Sequence, residues 1–151
     1  MLIWSGLPRS SCAGIWSAAF DGRTLGRPNV TDASGHEMSL EGMVVFITGA
    51  GSGIGMGLAE RFSADGATVV GADVGEGAAM AASVCAMAVP CDVTDRPQLE
   101  HLVTEADRSF GRVDVLIANA GIARQGTVDD AAWSEIEDVV RVNLLEVLAS
   151  I

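Results

Sequence analysis

The chain has 151 residues, with nine arginines, no lysine, no tyrosine, 20 acidic residues and 18 glycines. An apolar fraction of 49% fits a folded chain with one ordinary core, and a formal charge of −11 sets it against nucleic-acid phosphates and anionic membrane surfaces. A small-molecule ligand is the expected partner, and the missing Tyr and Lys take a phenolic acid and an amine base out of any mechanism run by this chain alone.

Cys12, Cys85 and Cys91 are odd in number and show no CxxC spacing, so neither a disulfide framework nor a zinc site is expected and a reducing cytoplasm fits. The first residues lack a basic stretch ahead of their apolar ones, and Arg9 breaks the run, so a signal peptide is not expected. No stretch approaches the ~20 uninterrupted apolar residues of a spanning helix. Residues 1–37 are rich in Ser, Gly, Arg and Pro, with no helical or strand periodicity, and read as a disordered extension. Their charges balance, so the whole net charge falls in residues 38–151, where apolar runs and amphipathic stretches alternate.

In chain order, Val44–Ile47 is a short apolar run suited to a strand covered on both faces. It ends in glycines, and Ile54, Leu58, Ala59 and Phe62 then recur at helical spacing until Asp65-Gly66. Thr68–Ala72 is the next strand, ending at Asp73. Glu76–Ser83 reads as a short helix and Ala86–Cys91 as a weaker third strand. Thr94 and Asp95 offer helix caps, Pro97 suits a first turn, and Leu99, Leu102, Val103, Ala106 and Phe110 form one stripe that stops at Gly111. Val113–Ala118 is a fourth strand interrupted by Asp114. Thr127 and Asp130 resemble a capping box, after which Trp133, Ile136, Val140, Leu144, Val147 and Ile151 predict one long helix. The strand and helix alternation predicts an α/β doubly wound parallel sheet, ordered 3-2-1-4. Its fourth strand is expected to present a bare apolar edge, and the last helix an unfinished stripe; both favour self-association or aggregation.

The most informative stretch is Thr48-Gly49-Ala50-Gly51-Ser52-Gly53-Ile54-Gly55, which follows a strand and opens a helix. Glycine allows the tight turn, lets a pyrophosphate approach the main chain, and leaves the helix N-terminus to face the phosphates. A turn without a ligand needs glycine as well. Asp73, 18 residues beyond Gly55, stands near the ~20-residue offset at which an acid meets the adenosine ribose; its alternative is a solvated acid at a strand end. A carboxylate ~4 Å from a 2′-phosphate charge is repelled by ~1 kcal/mol in water and ~4 kcal/mol at an effective dielectric of 20. With no basic residue in the turn or just after Asp73, NAD is favoured over NADP.

With these residues in view, 38–151 resembles the N-terminal portion of the short-chain dehydrogenase/reductase family, a Rossmann-like fold. The family pattern TGxxxGxG is present as Thr48–Gly55, and its acidic residue after the second strand matches Asp73. Asp92-Val93 matches its adenine-contacting Asp-Val. Ala118-Asn119-Ala120-Gly121 is similar to its Asn-Asn-Ala-Gly, with Ala first, and Val142-Asn143-Leu144 resembles its Val-Asn-Leu, whose Asn holds a proton-relay water. The resemblance implies cofactor-binding roles for Thr48, Gly49, Ser52, Gly53, Ile54, Gly55, Asp73, Asp92, Val93, Asn119, Ala120 and Gly121, and a catalytic role for Asn143. Each has a structural alternative: Asp92 suits a cap for the turn before Thr94, Asn119 suits backbone groups at a strand end, and Asn143 suits a satisfied amide on or beside a packed helix face. His101 reads as a surface residue, and Cys85 and Cys91 as small apolar ones.

The family's Ser, Tyr and Lys come after its Asn, and this sequence carries eight residues beyond Asn143. The resemblance therefore implies an NAD-dependent oxidoreductase acting on a secondary alcohol or ketone, of which this chain is the cofactor-binding part. A non-catalytic NAD-binding or interaction module, and a gene fragment without function, are the alternatives.

Overall fold

The computed structural model describes residues 39–127 and 129–150, together with the backbone of Leu2–Trp4. The reading of residues 1–37 as an extension otherwise falls outside the described residues, as does Ile151.

In chain order the elements are β1 (Leu2–Trp4), β2 (Val44–Thr48), α1 (Gly53–Ala64), β3 (Thr68–Asp73), α2 (Glu76–Ala81), β4 (Met87–Pro90), α3 (Arg96–Phe110), β5 (Val115–Ile117) and α4 (Trp133–Val140), followed by a π turn (Arg141–Leu145) and α5 (Glu146–Ala149). β2 lies at the centre, with every residue buried, because both its faces are covered. Its side chains alternate. Val45 and Ile47 pack with Ala59 of α1 and with Val69 and Ala81, against Leu58 and Phe62. Val44 and Phe46 pack with Val70, Ala72 and the Leu99, Leu102 and Ala106 stripe of α3. Each fully buried side chain of this size contributes ~1.5–3 kcal/mol, so these two layers fix the register from which the site hangs.

The four strands β4, β3, β2 and β5 run parallel in that spatial order, which is the 3-2-1-4 expected. β4 is shorter than the predicted 86–91, but the Ala86 and Cys91 amides at its ends still donate to Val69 and Asp73 of β3. Asp95, not Thr94, caps α3: its carboxylate accepts from the Gln98 amide at 3.2 Å, and Gly111 closes the helix in the left-handed conformation, φ 74°. Asp114 interrupts the fourth strand for a reason. Its buried carboxylate accepts the Val44 N–H at 2.8 Å and pairs with Arg112, joining the start of β2 to the start of β5.

Two expectations are corrected. The edge beyond β5 is not bare: β1 pairs antiparallel with it, Leu2 opposite Ile117, Ile3 opposite Leu116 and Trp4 opposite Val115. A three-residue strand offers too little periodicity to stand out from its surroundings. The final helix also departs from its predicted form. Thr127 donates to Asp130 at 2.7 Å within the preceding turn, and the helix begins only at Trp133, where Glu135 accepts the Ala132 amide at 3.3 Å. It then passes through the π turn, and no residue of 133–149 is buried. The apolar stripe is real but has no facing element among the described residues.

Candidate functional site

Thr48, 2% exposed, ends β2 and organises the turn behind the cavity. Its hydroxyl accepts the backbone amides of Asn119 and Ala120, each at 3.0 Å, and the Asn119 side-chain amide donates back to the carbonyls of Thr48 and Gly49 at 3.1 and 3.2 Å. Two strand ends 71 residues apart are thereby locked together. The glycines divide their tasks. A Cβ on Gly51 would lie 2.0 Å from the Gly77 carbonyl oxygen, and one on Gly55 1.9 Å from that of Gly49, so both positions are closed by main chain. Gly53, with φ +52°, has nothing within 4 Å of its Cβ position and faces open space.

α1 begins there. Ser52 makes no side-chain cap bond, and the first intrahelical bond is Met56 N–H to the Ser52 carbonyl, so the amides of Gly53, Ile54 and Gly55 precede it. Those donors, with the positive end of the helix dipole, present an anion site.

The Asp73 carboxylate is fixed by the main chain: one oxygen accepts the Gly51 N–H at 2.7 Å and the other the Val74 N–H at 2.7 Å. Gly77 closes over it, since a Cβ there would reach 2.6 Å from the carboxylate carbon. Asp92 takes the structural alternative in part, one oxygen accepting both the amide and the hydroxyl of Thr94 at 2.9 and 2.8 Å. Cys91 is buried beside it, and burial first, then the charges of Asp92 and Asp95, push its thiol above the ordinary range. It is therefore a neutral apolar wall at physiological pH.

These residues surround a cavity of about 560 Å³. Of the predicted positions, Gly49, Ser52, Gly53, Ile54, Asp73, Asp92, Val93, Asn119, Ala120 and Gly121 line it, whereas Thr48, Gly55 and Asn143 do not. Asn143 is exposed rather than on a packed face, since no element among the described residues covers its helix. Its amide instead clasps the loop after β5, accepting the Ile122 N–H and donating to the Ile122 carbonyl, both at 2.9 Å. Sequence reasoning missed Ile122, Asp138 and Arg141 as lining residues. The helical spacing of 138, 141 and 142 on one face was the available signal for the last two. Among the described residues that line the cavity, Arg141 is the only cation, and Asp73, Asp92 and Asp138 are the acids. Among the described residues no group of three or more His, Cys, Asp or Glu side chains could hold a metal ion, and no helix is long and apolar enough to cross a membrane.

A parallel doubly wound sheet with a glycine turn, an open helix N-terminus and an acid at the end of the next strand defines a dinucleotide-binding protein of the Rossmann class. Residues 43–150 match the short chain dehydrogenase family, and the chain belongs to it. It is 43% identical over 110 residues to a meso-2,3-butanediol dehydrogenase of Serratia marcescens, covering 68% of this chain and 44% of that protein. Among solved structures, a 3-ketoacyl-(acyl-carrier-protein) reductase from Brucella melitensis complexed with NADH superposes with a TM-score of 0.70 at 38% identity, over 74% of this chain and 48% of that one. A short chain dehydrogenase from Burkholderia cenocepacia in complex with NADP gives 0.69 at 31%, over 75% and 49%. The chain thus spans about half the length of the relatives it matches.

Proposed function

We propose that residues 38–151 form the cofactor-binding half of an NAD-dependent oxidoreductase of secondary alcohols and ketones, and that the chain binds NAD in the cavity. The observation that carries this reading is the Asp73 carboxylate, held at 2.7 Å by the Gly51 and Val74 amides on the cavity wall. Each oxygen uses one acceptor site on the main chain and keeps another for a ribose hydroxyl. The open space before Gly53 and the amides of Gly53 and Ile54 fit a pyrophosphate, Asp92 and Val93 the adenine end, and Asn119, Ala120 and Gly121 the floor between them.

A bound nicotinamide would supply or accept hydride. The chain's own part is to fix the dinucleotide's orientation and, through Asn143, to position the loop that carries Ile122. Asn143 is the one member of the family's catalytic set matched here. The sequence holds no Tyr or Lys to move a proton at a carbonyl oxygen, which favours, as the second reading, a binding module that does not turn over by itself.

Calorimetric titration of the full chain with NAD and with NADP, followed by an alcohol-dependent NADH absorbance assay, tests both readings. NAD is expected to bind at least ~10-fold tighter than NADP, the factor that ~1.4 kcal/mol of repulsion at Asp73 supplies, without turnover. Equal or tighter NADP binding would remove the role given to Asp73, and robust turnover would defeat the binding-module reading.

A further inference from the structure

Asp73 ends β3 with its main chain already fixed, since its carbonyl accepts the Cys91 amide at 2.9 Å. Rotation about its side-chain bonds is the freedom left, and main chain restricts that too. Gly51 and Val74 each donate an amide to one carboxylate oxygen at 2.7 Å. The first turn of α2 closes the remaining side. Residues 74–77 form a tight turn, the Gly77 amide donating to the Val74 carbonyl at 3.0 Å, with Gly75 at φ +52°. That turn lays Gly77 against the carboxylate: a Cβ there would stand 2.6 Å from its carbon and from one oxygen, and 3.0 Å from the other. Gly77 has no positive φ, and at the second position of a helix alanine has the better propensity, so neither backbone conformation nor helix formation calls for glycine here. The carboxylate does.

We propose that Gly77 is a positioning residue for cofactor choice: its bare Cα lets the Asp73 carboxylate take the one rotamer in which the Gly51 and Val74 amides hold it and its remaining acceptor sites face the ribose. The proposal rests on the cofactor reading above. A methyl group at position 77 turns the carboxylate away from those amides, because the carboxylate can move and the main chain around it cannot. NAD then loses the acceptor for its ribose hydroxyl, whereas NADP, which meets that carboxylate as a like charge, is relieved of repulsion in the same step. Discrimination falls, and not affinity in general.

The experiment compares the full chain with Gly77→Ala, Asp73→Ala and the double variant. Calorimetry with NAD and with NADP gives the ratio of affinities. Amide exchange without nucleotide is read at Gly51, whose N–H the carboxylate accepts, and at Ala50, whose N–H goes to the Ala72 carbonyl and serves as a check on folding. Gly77→Ala is expected to cut the NAD-over-NADP ratio at least ~5-fold and to speed exchange at Gly51 by ~10-fold, with Ala50 unchanged. Once Asp73→Ala has removed the carboxylate, adding the methyl group should alter neither the ratio nor the exchange. Equal weakening of both nucleotides, unchanged exchange at Gly51, faster exchange at Ala50 as well, or the same losses on top of Asp73→Ala would each overturn the proposal, the last by showing that Gly77 does not act through Asp73. A parent chain that binds no NAD would defeat the cofactor reading instead, and the exchange arm would still decide whether Gly77 holds the carboxylate in place.

Discussion

Thr48 shows why a residue type and its function separate at this site. The family pattern marks it for the cofactor, but its hydroxyl is spent on two amides of the loop after β5, and it acts on the cavity from behind. The glycines were legible as a set because a strand, a turn and a helix needed them. What each one does was not, since that depends on Gly77, which reaches Gly51 from another element. This difference is measurable. Gly51→Ala drives a methyl group into the Gly77 carbonyl, and with rigid main chain on both sides it should cost ~1–3 kcal/mol of overpacking. Gly57, on the exposed face of α1, has nothing within 4 Å, so Gly57→Ala should stabilise by ~0.5–1 kcal/mol through helix propensity. Urea denaturation midpoints should move in opposite directions for the two variants. If both moved down, the close approach of Gly77 would not be the cause.

At the scale of elements, the strands and α3 were readable because each carries its own signal: alternation that the two core layers honour, an Asp at the cap and a Gly at the end. The last helix was readable as a helix and misread in its environment. Periodicity says that a stripe exists; only tertiary structure says what meets it. The π turn was illegible for the same reason, since Arg141–Leu145 has ordinary helical propensity, and π turns are frequent at functional positions. Here the turn presents Asn143 to Ile122. Asn143→Ala should release the loop after β5, raising exchange at Ile122 about 5- to 30-fold, as loss of ~1–2 kcal/mol implies. Asn143→Asp keeps the acceptor for the Ile122 amide but places a carboxylate against the Ile122 carbonyl, so it should not restore protection. Rescue by Asp would mean that the carbonyl contact contributes nothing.

For the whole molecule, burial separates a stable unit from a loosely held one. Residues 44–117 contain both core layers, whereas 133–149 contains no buried residue and exposes Trp133, Val140, Leu144, Leu145 and Leu148. Among the hydrogen bonds that tie this arm to the rest, the two from Asn143 to Ile122 are worth ~1 kcal/mol each, against ~1.5–3 kcal/mol for each fully buried Val, Leu, Ile or Phe of the core. The arm should therefore open while the sheet stays folded. The sequence offers a convenient probe because it has no lysine, so trypsin is confined to its arginines, of which Arg27 and Arg96 are blocked by the prolines that follow them. Arg124 lies in the exposed loop and Arg141 in the π turn, whereas Arg61 and Arg108 lie in helices packed on the core, and Arg112 is tied to Asp114. Among the described arginines, cleavage at Arg124 and Arg141 should come first, leaving the segment that contains 44–117 intact. If NAD binds in the cavity as proposed, whose lining comes from both sides of the divide, it should slow the cut at Arg141 in proportion to its occupancy. Early cleavage at Arg61 or Arg108 would place the weak point in the sheet layer instead; protection of Arg124 alone would remove Arg141 from the cavity wall.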